Sequence, residues 1–193
     1  MPNTSENPPA GGADGIAETS NCGKAFDSPQ NTRSVSKKQA ICIAGFDPGL
    51  SGAIAFFWPI APDRVAAEDM PIVGGEVDCA TLAARIRQMA PDVAIVERVS
   101  AMPKQGVSST FKFGACYGAL LGVLAALEIR SVLVTPGVWK RHFRLDADKE
   151  KSRALALRTF AKTPEHFSRK HDHGRAEAAL MALWYSQFTD GLK

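Results

Sequence analysis

The chain has 193 residues, 45% of them hydrophobic, and a formal net charge of +3, which suits one domain with a sizeable core and argues against disorder throughout. No positive start followed by an apolar stretch marks a secretory leader, and no apolar run of membrane-spanning length stands out. The four cysteines, Cys22, Cys42, Cys79 and Cys116, are scattered without a C-x-x-C pair, so neither a zinc knuckle nor a disulfide framework is expected and a reducing cytoplasm is the expected setting.

Residues 1–40 are rich in Pro, Gly, Ser and Asn and lack periodicity, so they are expected to form a disordered tail. A folded domain is expected over 41–188, with 189–193 a short C-terminal tail. Ile41–Phe46 and Ala53–Trp58 are apolar runs around a turn with Gly49 and Gly52, and read as a hairpin. A weaker third strand is expected near Arg64–Met70. Ala80–Met89 has helical spacing and stops before Pro91. Val93–Val96 is continuously apolar, as in a strand buried on both faces, and runs into Glu97. Ser100–Ser109 reads as a loop. Thr110–Leu127 reads as a long helix with small residues at 114, 115, 118, 119 and 122. Ser131–Val134 is a further strand stopped by Pro136. Val138–Phe143, Ala147–Phe160 and Arg175–Tyr185 read as helices. A hairpin meander followed by alternating strands and helices implies an α/β fold, a mixed five-stranded sheet flanked by helices, which fits the ribonuclease H-like architecture.

Asp47 closes an apolar strand, Glu97 closes the central one, and Asp172 and Glu177 flank the start of the last helix. Each has an ordinary role open to it. Asp47 in "DPG" suits a turn, Glu97 suits a strand-end ion pair, and Asp172 and Glu177 suit a helix cap and a first-turn acid. Together they suggest something else. If the first and central strands run parallel side by side, Asp47 and Glu97 meet at the sheet's C-terminal edge, where open α/β sheets hold ligands. Clustered carboxylates repel one another, and divalent cations relieve that repulsion. Charge supports a polyanion partner. Residues 41–96 carry three basic and seven acidic side chains, whereas 97–175 carry fifteen basic and seven acidic.

The stretches "GFDPGLSGAIA", "AIVERVSAMPKQGVSSTFKFGACYGALLGVLAAL", "VTPGVWKRHF", "DADKEKSRALAL" and "RKHDHGRAEAALMAL" resemble the RuvC-type Holliday junction resolvases, in the branch of phages, bacteria and chloroplasts. The resemblance covers about Ile41 to Tyr185. It implies a homodimeric endonuclease that cuts four-way DNA junctions by paired symmetric nicks, with two Mg²⁺ or Mn²⁺ ions per site and no nucleotide cofactor or membrane. Asp47 and Glu97 match the family's first-strand aspartate and central-strand glutamate, and Glu177 matches an acid of the last helix. The family's other acid or histidine of that helix falls at Gly174, which has no side chain. Asp172 is expected to fill that metal-binding role, with His173 beside it contacting a metal ligand or the substrate.

Lys104, Lys112, Lys140, Arg141, Lys149, Lys170 and Arg175 are expected DNA contacts, Lys140 and Lys149 by match to the family. The family's junction-inserting aromatic falls at Ser100, so Met102 or Phe111 is expected to take its place. Two other readings compete. One is a catalytically weak module of the same fold that binds branched DNA. The other is an actin-like phosphotransferase, for whose second lobe the chain has no room.

Overall fold

The computed structural model describes residues 41–100 and 106–190, so the expected tail over 1–40, and Met102 and Lys104, lie outside the described residues. Strands β1 (Ile43–Asp47), β2 (Ala53–Phe57) and β3 (Val65–Asp69) form an antiparallel meander. A two-stranded ribbon follows, β4 (Ile72–Val73) with β5 (Glu76–Val77), turning at Gly74–Gly75. Its strands are too short to carry a period, so the sequence reading missed it. Helix α1 (Cys79–Met89) starts at Asp78, whose carboxylate accepts from the amides of Ala80 and Thr81. β6 (Val93–Glu97) then pairs in parallel with β1 and with β7 (Ser131–Val134). The main sheet therefore runs β3-β2-β1-β6-β7, the expected mixed five-stranded sheet.

Helix α2 spans Val107–Ala126 and claims three residues expected in the preceding loop. Its cap, Gly106, makes no side-chain bond, so no capping residue announced the start. Helix α3 (Pro136–His142) begins on the proline that was read as a strand stop. A proline's fixed φ suits the first helical position as well as it ends a strand. Helix α4 (Lys149–Thr159) is capped by Asp148. A 3₁₀ turn, Pro164–Phe167, lies where no element was expected. Helix α5 (His173–Asp190) runs past the expected domain limit at 188.

Side chains alternate across each strand. Cys42, Ala44, Phe46, Ala94 and Val96 pack in the layer with Leu82 and Ile86 of α1 and Leu120 and Leu124 of α2. Ile43, Val93 and Ile95 pack in the layer with α5, Trp139 and Ala156. Asp47 shares the parity of Ile43, and Glu97 that of Val93 and Ile95, so both acids belong to the α5 face. That helix lies very close to the sheet. A Cβ added to Gly45 would stand 2.0 Å from the carbonyl oxygen of Ala178. Ala176, Ala178, Ala179 and Ala182 are fully buried and small enough to permit the approach.

Helix α2 revises the expectation about apolar runs. By length and mean hydropathy, 1.3, it is long and apolar enough to cross a membrane. It carries Lys112, and it buries one stripe, Cys116, Leu120 and Leu124, against the sheet. Within an apolar window of 18 residues 17% are buried, and Tyr117, Ala119, Leu121 and Val123 are partly covered by the same core layer.

Candidate active site

The register pairs Phe46 with Val96 in the parallel ladder, so the next residues, Asp47 and Glu97, end neighbouring strands side by side. A pocket of about 350 Å³ opens there. Asp47, Glu97, Glu177, His173, Lys140 and Lys149 line it, together with Pro48, Ser51, Gly52, Val99, Phe113 and Pro136. α5 delivers His173 from its first position and Glu177 from one turn later, on the same face. α3 and α4 supply the lysines. Gly174 sits against the floor, where an added Cβ would come within 3.1 Å of Asp47 Oδ2 and 3.2 Å of the Ser51 carbonyl oxygen. A side chain at 174 would need Asp47 or the Ser51 backbone to give by a few tenths of an ångström, so the glycine suits the close seating of α5 beside Asp47.

Each acid has its own environment. Burial, then repulsion from Glu97 and Glu177, pushes the Asp47 carboxyl well above the usual range, against the pull of Lys149 and Lys140. Burial also raises Glu97. The indole of the fully buried Trp139 opposes this by donating to Glu97 Oε1 at 3.1 Å. Glu177 Oε1 accepts from Lys140 Nζ at 2.7 Å and from Ser152 Oγ at 3.3 Å.

Asp172 goes elsewhere, and this corrects the expectation that it joins the acidic set. It directly precedes α5, as expected, but its carboxylate turns back. Oδ2 accepts from the Arg169 amide at 2.7 Å, and Oδ1 meets the Arg169 guanidinium at 2.7 Å. Burial alone would raise its pKa, but these bonds and the charges of Arg169 and Arg175 hold it below the usual aspartate value. His173, expected as a secondary group, is the residue of this pair that reaches the pocket. Arg175, expected at DNA, is mostly buried, and its guanidinium makes two 2.7 Å bonds to Asp69 at the end of β3.

The remaining expected contacts are dispersed. Lys112 borders the neighbouring hollow that shares Pro48, Ser51 and Phe113 with the acidic pocket. Lys170 is exposed in the turn before α5. Arg141 lies in a separate groove beside Lys140. Phe111 is 76% exposed near the start of α2. Sequence reasoning passed over Trp139, Ser152 and Phe113. A buried Trp or Ser needs a hydrogen-bond partner, so the "VWK" and "KSRA" stretches carried a signal that was not used.

The acidic residues fit a hard divalent cation by chemistry: three carboxylates border one pocket, and two of them are driven toward protonation by burial and mutual repulsion. Their present convergence is incomplete. Among the described residues no three His, Cys, Asp or Glu side chains come together closely enough to hold an ion.

No protein-family model matches the chain, and no curated protein matches it significantly. Solved structures do. Thermus thermophilus RuvC in complex with a Holliday junction substrate aligns with a TM-score of 0.58 at 16% identity, over 77% of this chain and 96% of that one. The structure of Thermus thermophilus RuvC alone aligns at 0.55 and 15%, over 77% and 97%. The chain has the RuvC-type resolvase fold. The alignments take in nearly the whole of the RuvC chain, so the likeness in fold extends over that complete domain.

Proposed function

We propose that this chain is a structure-selective endonuclease that resolves four-way DNA junctions by paired symmetric nicks. The observation that carries the reading is the single pocket at the sheet's C-terminal edge, lined by Asp47, Glu97 and Glu177 and flanked by Lys140, Lys149 and His173. The RuvC fold supports it, because a solved structure with that fold holds a Holliday junction substrate. Asp47, Glu97 and Glu177 would hold Mg²⁺ or Mn²⁺, two ions per site. Bound there, the metal supplies activation of water and charge neutralisation at the leaving oxygen of a phosphodiester. Asp172, engaged by Arg169, stands outside this set. Lys149 and Lys140 draw the DNA backbone to the acidic edge, and His173 is placed to donate to a phosphate oxygen. Phe113, on the pocket wall, offers an aromatic surface to an adjacent base.

Paired nicks need two sites in fixed relation, which a homodimer provides. The face of α2 that carries Phe111, Gly114, Gly118 and Gly122 is exposed within one chain, which supports its use as the dimer contact.

A specific observation favours a second reading, a branched-DNA-binding module with weak catalysis. Lys140 already neutralises Glu177, and three donors do not converge. One experiment separates the two: incubation with a synthetic mobile four-way junction, beside linear duplex, in Mg²⁺ and in EDTA. Symmetric nicks confined to the junction and lost in EDTA are expected. Tight junction binding without nicks in Mg²⁺ would favour the binding module.

A further inference from the structure

Lys140 borders two compartments. Its ammonium is bonded to Glu177 Oε1 at 2.7 Å inside the acidic pocket. The same side chain also lines a larger groove of about 570 Å³ along the C-terminal end of α3, where Arg141 and Arg144 add two guanidinium groups. The groove shares Pro136 and Lys140 with the acidic pocket and opens to solvent; its lining holds three cations and one acid, Asp146, which is paired with Lys151. It fits a backbone phosphate of the strand being held.

The Lys140 ammonium now occupies the charge role that a cation would take at Glu177. Lys140 and Ser152 both hold Glu177 Oε1, and among the described residues no three acidic, His or Cys side chains come together closely enough to hold an ion. Lysine suits a reversible arrangement: a compact point charge on a flexible four-carbon stem can leave one anion for another.

We propose that Lys140 is a metal-released phosphate ligand. Divalent-cation binding at Asp47, Glu97 and Glu177 displaces its ammonium from Glu177, and the freed ammonium binds a DNA phosphate in the groove with Arg141 and Arg144. The inference rests on reading the acidic pocket as a cation site. Its consequence is cooperativity, because metal and DNA both favour the state in which the Lys140–Glu177 pair is open. By linkage, each ligand must strengthen the other by the same factor.

The test uses the full chain labelled with ¹⁵N-lysine, with the Lys140 ammonium cross-peak assigned by its loss in Lys140→Arg. In EDTA the peak of the paired ammonium is expected. Mg²⁺ alone should shift or remove it, and junction DNA in Ca²⁺ should give it a third position. An unmoved peak at Mg²⁺ concentrations that saturate the calorimetric heat of binding would overturn the exchange and leave the cation site standing. No heat of Mg²⁺ binding at all would overturn both. A second measurement decides even where the peak is too broad to follow. Ca²⁺ should tighten junction binding by wild type about tenfold more than by Lys140→Met, a factor ordinary for coupled sites. Removal of a nearby positive charge, without exchange, would enlarge the Ca²⁺ effect in the variant. An equal or larger effect in Lys140→Met therefore contradicts the proposal.

Discussion

Asp47 and Glu97 bind their protons more tightly in the fold than in the unfolded chain, because burial and neighbouring carboxylates disfavour their charge. The metal-free fold thus holds its full contribution from them below their ordinary values, 3.8 and 4.5, and loses it as pH rises through the raised ones. Asp172 works in the opposite sense. Its lowered pKa contributes stability above 3.8 that disappears on acidification. In EDTA, the urea midpoint is therefore expected to fall as pH rises above about 4.5. Asp47→Asn should flatten that fall and raise the midpoint near neutrality. Equal slopes for the two proteins would contradict the electrostatic description.

The seating of α5 on β1 decides whether those acids meet Glu177. Gly45→Ala places a methyl group 2.0 Å from the Ala178 carbonyl oxygen, a backbone atom that cannot swing aside as a side chain could. The expected loss is about 3 kcal/mol or more in urea unfolding, at or above the upper end of ordinary overpacking. Asp172→Ala removes the acceptor of two partially buried bonds from Arg169 and should cost about 1–3 kcal/mol, while junction binding is retained.

At this scale much of the site was readable, because it depends on local rules. Strand ends place Asp47 and Glu97, period-two alternation turns both to one face, and the four-residue spacing aligns His173 with Glu177. The direction of Asp172 was not readable. Its partner Arg169 lies only three residues before it, but spacing alone does not say whether the carboxylate turns back to that arginine or forward to the pocket, and Arg169 and Arg175 are in turn tied to Asp69, about 100 residues earlier in the chain. The start of α2 was hidden for a simpler reason, since Gly106 caps it without a side chain.

For the whole molecule, the exposed face of α2 is the feature the single chain leaves unexplained. Among the described residues, a Cβ at Gly118 or Gly122 would meet nothing within 4 Å. Gly118→Arg should therefore leave the urea midpoint nearly unchanged, within about 1 kcal/mol allowing for glycine's own effect in a helix. It should convert a dimer to a monomer in sedimentation and uncouple the two nicks on a junction. A variant that stays dimeric and nicks symmetrically would remove α2 from the interface.

The proposed function requires three carboxylates, from β1, β6 and α5, to act as one centre. The most direct measurement is single-turnover cleavage of a four-way junction in Mg²⁺ by Asp47→Asn, Glu97→Gln and Glu177→Gln, with junction affinity measured alongside. Each variant is expected to lose cleavage by about a thousandfold, on the order of 4 kcal/mol in the barrier, while binding stays within a few fold. Wild-type cleavage by any one of the three would contradict it.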